Sequence, residues 1–386
     1  MKARLLLTAT LVGLLPAAAG AQILVAGHDE KVWWDDSGKV LNQPPGKDTV
    51  SFIDIGDREN PKILESVQIE NSIFGPPTNL AVHPSGEIAL VANSVTQTKD
   101  GENWKPVPDN KLHVFDLKAS PPKQVGTVEV GKQPSGLSIS KKGDLALVSN
   151  RGDNSISVLA ISGKDVKLVD TVAMGDSVAH VTISPDGTKA LAIKPVVNKV
   201  AFLKIDGQKV SYDKVDLVPG VFPYNVDITP DGKLGLVANN GAGGGSDGNV
   251  DTVAVVDLEQ NPPRVIDHVV VGDAPEGFAI SPKGDLAIAL LLRGSNSDRK
   301  AFFYNKTGAA VVLRIDGKKV TRVSDEIELG GLPEGIAFAP DGQHAYVGNF
   351  LDSDVSILKI ADGKVTDTGK KLKLPGHPAS LRGAPN

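Results

Sequence analysis

The chain has 386 residues, no cysteine, 41 glycines, 26 prolines and only 4% aromatic residues. A formal charge of −5 without any basic run excludes a nucleic-acid stripe, and the missing thiols exclude disulfide scaffolds and thiolate metal sites. Glycine and proline at this level favour many short strands joined by tight turns over helices.

The N-terminus carries the pattern of a secretory signal. Lys2 and Arg4 precede an apolar stretch at 5–15, and Ala19-Gly20-Ala21 offers a small-x-small cleavage site. The expectation is a signal peptide at 1–21, cut between Ala21 and Gln22, with a mature domain at 22–386. That places the protein in the periplasm or outside the cell. The apolar stretch is too short to span a bilayer, and no later segment is long and apolar enough to do so.

The mature chain begins in the middle of a repeating unit. Segments 23–27, 49–54 and 62–69 read as the second, third and fourth strands of a four-stranded unit whose first strand is missing. A motif then recurs at 77–86, 134–143, 178–187, 223–232, 275–284 and 333–342. Its clearest copies are Pro275-Glu-Gly-Phe-Ala-Ile-Ser-Pro-Lys-Gly284 and Pro333-Glu-Gly-Ile-Ala-Phe-Ala-Pro-Asp-Gly342. The turn glycines Gly86, Gly143, Gly187, Gly232, Gly284 and Gly342 fall 44 to 58 residues apart, the spacing of propeller blades. Each unit reads as strand A (275–281), a glycine turn, strand B (286–291), a variable loop, strand C (252–257 in the preceding unit) and strand D (264–271). The C-terminus supplies 376–381, which begins like a strand A and stops. Joined to the N-terminal half-unit it makes a seventh blade. The expected fold is all-β: a seven-bladed β-propeller of four-stranded antiparallel blades, closed by N- and C-terminal strands in one blade.

These repeats resemble the YVTN β-propeller repeat family, the lactonase-type seven-bladed propellers. The residues that carry the resemblance are 333–349, ending Ala345-Tyr-Val-Gly-Asn349, and the strand Asp354-Val-Ser-Ile-Leu-Lys359. Segment 54–64 is similar to LVIVD surface-protein repeats. The resemblance implies the propeller fold and, as an activity, lactone hydrolysis, in some types with a divalent metal.

In such a blade the D-to-A and B-to-C connections share one face. The long insertions 29–48, 94–110, 240–251 and 293–309 are all B-to-C, so one face is ornamented and the other plain. Ten of the 17 aromatic residues fall on the ornamented face, among them Trp33, Trp34, Trp104 and Tyr304, which suits either a contact surface or the packing of long loops. The starts of the A strands point at the channel mouth and place Asn79, His180, Tyr224, Asn225, Glu276 and Glu334 around it. Glu276, Glu334 and His180 are candidate acid–base groups. Glu276, Glu334 and Asn225 are candidate oxygen ligands for Ca²⁺. Asn79, Tyr224, Asn225, Trp33, Trp34, Trp104, Tyr304 and Arg293 are candidate ligand contacts. A solvated acidic mouth without a ligand fits the same residues. Asp227 on an inner strand calls for a partner, and Lys194 and Arg293 stand where other blades carry Asn.

Three functions remain open. The first is an exported, monomeric binding protein that engages a small molecule or a protein through the insertion-bearing face. The second is a lactonase-type hydrolase or lyase at the channel mouth. The third is a cell-surface structural protein.

Overall fold

The computed structural model describes residues 22–241 and 244–383; the expected signal peptide lies outside them. The described chain forms seven antiparallel blades around a central channel, as the repeat predicts. Blade 3 is representative. Strand A is Pro134–Ile139, B is Leu145–Asn150, C is Ser155–Ser162 and D is Asp165–Ala173. Strand B is buried at every position, whereas D is mostly exposed. The difference follows from the architecture: inner strands are covered on both faces by neighbouring blades and so read as continuous apolar runs, while outer strands face solvent. Among the described residues no helix is long and apolar enough to cross a membrane.

The two chain ends close the ring. Pro378–Gly383 serves as strand A of blade 1 and pairs with Ile23–His28, register Leu24↔Gly383, Ala26↔Leu381 and His28↔Pro378. Seven apolar clusters fill the seven blade interfaces. The one between blades 7 and 1 contains Leu24, Ile53, Tyr346, Val355 and Leu381. The one between blades 1 and 2 contains Val25, Leu80 and the ring pair Phe52–Phe115 at 5.3 Å. Each fully buried side chain of this size contributes about 1.5–3 kcal/mol. Where inner strands converge there is no room for a Cβ: one at Gly277 would overlap the Glu334 carbonyl, and one at Gly335 the Leu381 amide.

Two of the insertions are ordered as hairpins, in different ways. Residues 94–110, expected as a loop, extend the blade 2 hairpin instead, with strands Ile88–Asp100 and Asn103–Asp116. Trp104 sits near its tip beneath Lys99, 5.9 Å from Nζ to the ring centre. Residues 32–42 form a small hairpin that packs Trp34 against Phe350 (5.6 Å, edge-on) over an apolar cap of Ala274, Leu292, Leu332 and Ala379.

That hairpin is pinned by a fully buried cation. Lys31 Nζ donates to Asp48 (2.5 Å), to Asp29 (3.4 Å) and to the Asn71 carbonyl. Removing one member of such a network strands the others in a low-dielectric site. Lys31→Met is therefore expected to cost about 3–5 kcal/mol, read as a shift in the urea midpoint at pH 7; a loss below about 1 kcal/mol would refute the role. Lys194 is a second buried cation. It donates to the Met174 carbonyl and to Tyr212 Oη, both at 2.8 Å, with Asp176 and Asp216 within 3.6 Å.

Candidate active site

Strand A begins with an irregularity that aims side chains at the channel. In blades 3, 5, 6 and 7 the A–B register shifts just after the leading proline, at Pro134/Leu137, Pro223/Asn225, Pro275/Phe278 and Pro333/Ile336. Such bulges take residues out of the ladder and turn their side chains. The residue before each proline is left-handed: Gln133 (φ 55°), Phe222 (51°), Ala274 (54°) and Leu332 (50°). This conformation is costly for non-glycine residues, and it is held from the insertion side. The four amides donate to the Asp109 carbonyl, Asn198 Oδ1, Asp251 Oδ2 and Ser295 Oγ. Their carbonyls in turn accept the amides of Arg151, Asn240, Leu292 and Phe350, the residues that follow strand B or come next to it. This lattice places Arg151 and Asn240 at the channel.

The result is a polar ring at the start of the A strands. Seven buried polar atoms here have no hydrogen-bond partner among the described residues: Thr78 Oγ1, Asn79 Oδ1, Ser135 Oγ, His180 Nδ1, Asn225 Oδ1, Glu334 Oε2 and Ser380 Oγ. A buried orphan polar group costs about 1–3 kcal/mol, so seven converging on one axis mark a place built for a polar occupant.

His180 has a defined tautomer. Thr182 Oγ1 gives its proton to the Val226 carbonyl (2.8 Å), so at 3.0 Å from His180 Nε2 it must accept the imidazole N–H. Nδ1 is then the free lone pair in the ring. Burial, and secondarily the charge of Arg382, lower the His180 pKa to about 3, so the imidazole is neutral. It serves as an acceptor and is too weak a base for proton abstraction.

Glu276 and Glu334, on adjacent blades, are 7% and 2% exposed. Burial raises Glu276 to about 8, opposed by a long contact from Asn240 Nδ2 (3.5 Å) and by the charge of Arg151. Glu334 is raised well above the carboxylate range by burial and by the charge of Glu276. Glu276 therefore ionises first and Glu334 keeps its proton. Tyr224, raised chiefly by burial and then by Glu276, stays a phenol and stacks on Phe222 at 5.7 Å. Asn225 Nδ2 donates to the Glu276 carbonyl at 3.1 Å.

The sequence candidates thus divide. Asn79, His180, Tyr224, Asn225, Glu276 and Glu334 share the channel, with Asn79 Nδ2 tied to Asn71 and the Ala92 carbonyl. The others make different contacts: Trp34 joins the apolar cap of Ala274, Leu332 and Ala379 beside the start of the A strands, Trp104 lies near the tip of the blade 2 hairpin, and the Tyr304 amide donates to the Ala301 carbonyl. Trp33 packs on His377 at 4.3 Å, and Arg293 is paired with Glu326 (3.2 Å) and Asn305 (3.2 Å). Arg151 and Asn240 join the site without having been singled out. Their signal was positional: Arg151 follows Asn150 and Asn240 follows Asn239, the recurring Asn that ends strand B. As a Ca²⁺ site the ring would offer Glu276, Glu334 and Asn225 as oxygen donors, but no three His, Asp or Glu among the described residues converge to hold a metal ion.

Below the ring, the channel widens into a chamber of about 420 Å³ lined by strand A residues of all seven blades. It opens on the plain face, between the A–B turns that carry Pro84, Lys141, Pro185, Pro230, Pro282 and Pro340.

Residues 32–216 match the family model described as lactonase, 7-bladed beta-propeller. Among solved structures, the chain is similar to the periplasmic gluconolactonase PpgL of Pseudomonas aeruginosa (18% identity, TM-score 0.67, covering 94% of this chain and 99% of that one). It is also similar to a Bacteroides fragilis protein described as a candidate 6-phosphogluconolactonase (16%, 0.69, 95% and 99%). Hydrazine synthase of Kuenenia stuttgartiensis shares the architecture as well (20%, 0.58, 75% and 78%). At these identities the structures speak for the fold alone. No curated protein matches the sequence.

Proposed function

We propose that this chain, a seven-bladed β-propeller of the lactonase type, is a hydrolase that opens a small polyhydroxylated lactone at the polar ring of its channel. One observation carries the reading: two buried carboxyls of unequal acidity lie among orphan donors and acceptors that match a hydroxyl-rich ligand. Pairs of titratable groups whose environments separate their pKa values identify acid and base.

In this reading ionised Glu276 removes a proton from water as the water oxygen bonds to the lactone carbonyl carbon. Tyr224 Oη and the Arg151 guanidinium donate to the oxyanion that develops. Protonated Glu334 gives its proton to the ring oxygen as the C–O bond breaks. The proton gained by Glu276 then passes to Glu334, and lactone plus water has become a hydroxy acid. His180 Nδ1, Asn79 and Asn225 orient hydroxyl groups. The leader-like pattern at 1–21 supports an exported enzyme.

The test follows acid release from glucono-δ-lactone and from aliphatic lactones, against spontaneous ring opening. Saturable acceleration of at least one sugar lactone is expected. Binding without acceleration across the panel would refute hydrolysis and leave a binding protein. That second reading draws on one feature of the insertion-bearing face: Phe302 is 90% exposed, beside Gly248 of the neighbouring blade.

A further inference from the structure

The chamber on the plain side of the channel holds two charged strand A side chains that the hydrolytic step leaves unused, with Lys141 in an A–B turn at its mouth. Arg382 and Asp227 both line it. Each belongs to the same position of strand A, in blades 1 and 5, where the other blades carry Ala81, Ser138, Thr182, Ala279 and Ala337. No direct ion pair joins the two. Asp227 is occupied by backbone: Oδ1 accepts from the Ile228 amide (2.9 Å) and Oδ2 from the Ile280 amide (3.1 Å). Arg382 is anchored at one corner, with Nη1 donating to the Ile336 carbonyl at 2.8 Å. The opposite charges act on each other across the chamber, Asp227 being the favourable partner of Arg382.

An arginine held at one nitrogen, facing a cavity of this size, keeps the rest of its planar donor fork for a ligand. The carboxylate is fixed on the far side and can accept from a hydroxyl. Thr182 and Ser138 stand on the same wall level. Carboxylate at one end and hydroxyls at the other is the chemistry of a small polyhydroxy acid.

We propose that this chamber, which adjoins the polar ring at His180, is a second binding site for a polyhydroxy carboxylate, with Arg382 taking the carboxylate and Asp227 a hydroxyl. The choice of acid rests on the hydrolytic reading, because ring opening creates this group; the site itself rests on Arg382, Asp227 and the cavity. The chamber then serves as the path by which the opened product leaves through the plain face.

The experiment is calorimetric titration of the whole protein with sodium gluconate, and with sorbitol as the uncharged control. Gluconate is expected to bind and sorbitol to bind much more weakly. Arg382→Gln should weaken gluconate by about tenfold or more, the usual weight of a charge-assisted contact. Arg382→Lys, which keeps the charge without the fork, should fall between the two. Thermal melts establish that each variant is folded; if Arg382→Gln is not, Arg382→Lys and Asp227→Asn decide. Gluconate binding that is absent, or unchanged in the folded variants, overturns the proposal. Glu276→Gln separates the two readings. Gluconate binding that survives it while all lactone opening is absent from wild type leaves this site standing and removes the hydrolase. Turnover with Arg382-independent binding does the reverse.

Discussion

A chain ending at Gly376 is expected to show no cooperative unfolding transition. Its loss removes only strand A of blade 1, yet that strand is the innermost of its sheet and pairs with Ile23–His28 along its whole length. Ala379 and Leu381 are buried, and Leu381 belongs to the apolar cluster between blades 7 and 1. Without it the edge of Ile23–His28, buried at five of six positions, faces the channel unpaired. Blades 7 and 2 also lose their inner neighbour, and only the packing of Leu24 and Ile53 on one side and of Val25 and Phe52 on the other still joins blade 1 to them. Circular dichroism melting is the measurement, with a second arm in which a synthetic peptide of residues 377–386 is added back. Recovery of a transition with the peptide is expected, since the vacant groove presents a strand edge of defined register. A truncated chain that melts cooperatively within a few degrees of the full one would show that closure contributes little.

Glu276→Gln is expected to reduce lactone opening by about 10²–10⁴-fold, the weight of a positioned general base. Wild-type turnover should rise through about pH 8 as Glu276 ionises. It should fall at higher pH as Glu334 loses the proton that the leaving oxygen needs. Glu334→Gln should keep the rising limb and lose the falling one. A readout of folding accompanies these rates. Glu276 has a folded pKa raised from 4.5 to about 8, so the protonated form is favoured by folding. Its contribution is full below about pH 4.5 and is lost as pH rises through about 8. The melting temperature of Glu276→Gln should therefore gain on wild type between pH 5 and 9. Equal gains at both pH values would mean that Glu276 is not buried as described, and an unaltered rate would remove it from the mechanism.

The blades were legible because each A–B turn needs a glycine at positive φ, as Gly143 shows at 81°, and because covered inner strands must be apolar on both sides. The seventh blade could be read from two incomplete units whose parts matched. The carboxyl pair was legible too, since Glu276 and Glu334 hold the same place in neighbouring repeats. The extension of blade 2 was not: Val95-Thr-Gln-Thr-Lys-Asp100 is polar on one side and its partner strand carries Pro106 and Pro108, a pattern that also describes a loop. The fate of the aromatics was equally hidden. A tryptophan in an insertion reads the same whether it awaits a ligand or, like Trp34 against Phe350, folds back on the disc. Arg382 lies one residue past the point where the repeat seemed to end. Counted from Pro378, it occupies the position of Asp227 in blade 5, and that alignment was available.

The pairing of Leu24 with Gly383 also bears on the order of events in time. Contacts between neighbouring strands can form as soon as a hairpin exists, but this one must wait for nearly the whole polypeptide. Its loop-closure entropy is at the upper limit for the chain, and folding rates fall as such distant pairings dominate. The nascent protein is thus expected to persist as a string of half-formed sheets until Pro378–Gly383 can pair with Ile23–His28.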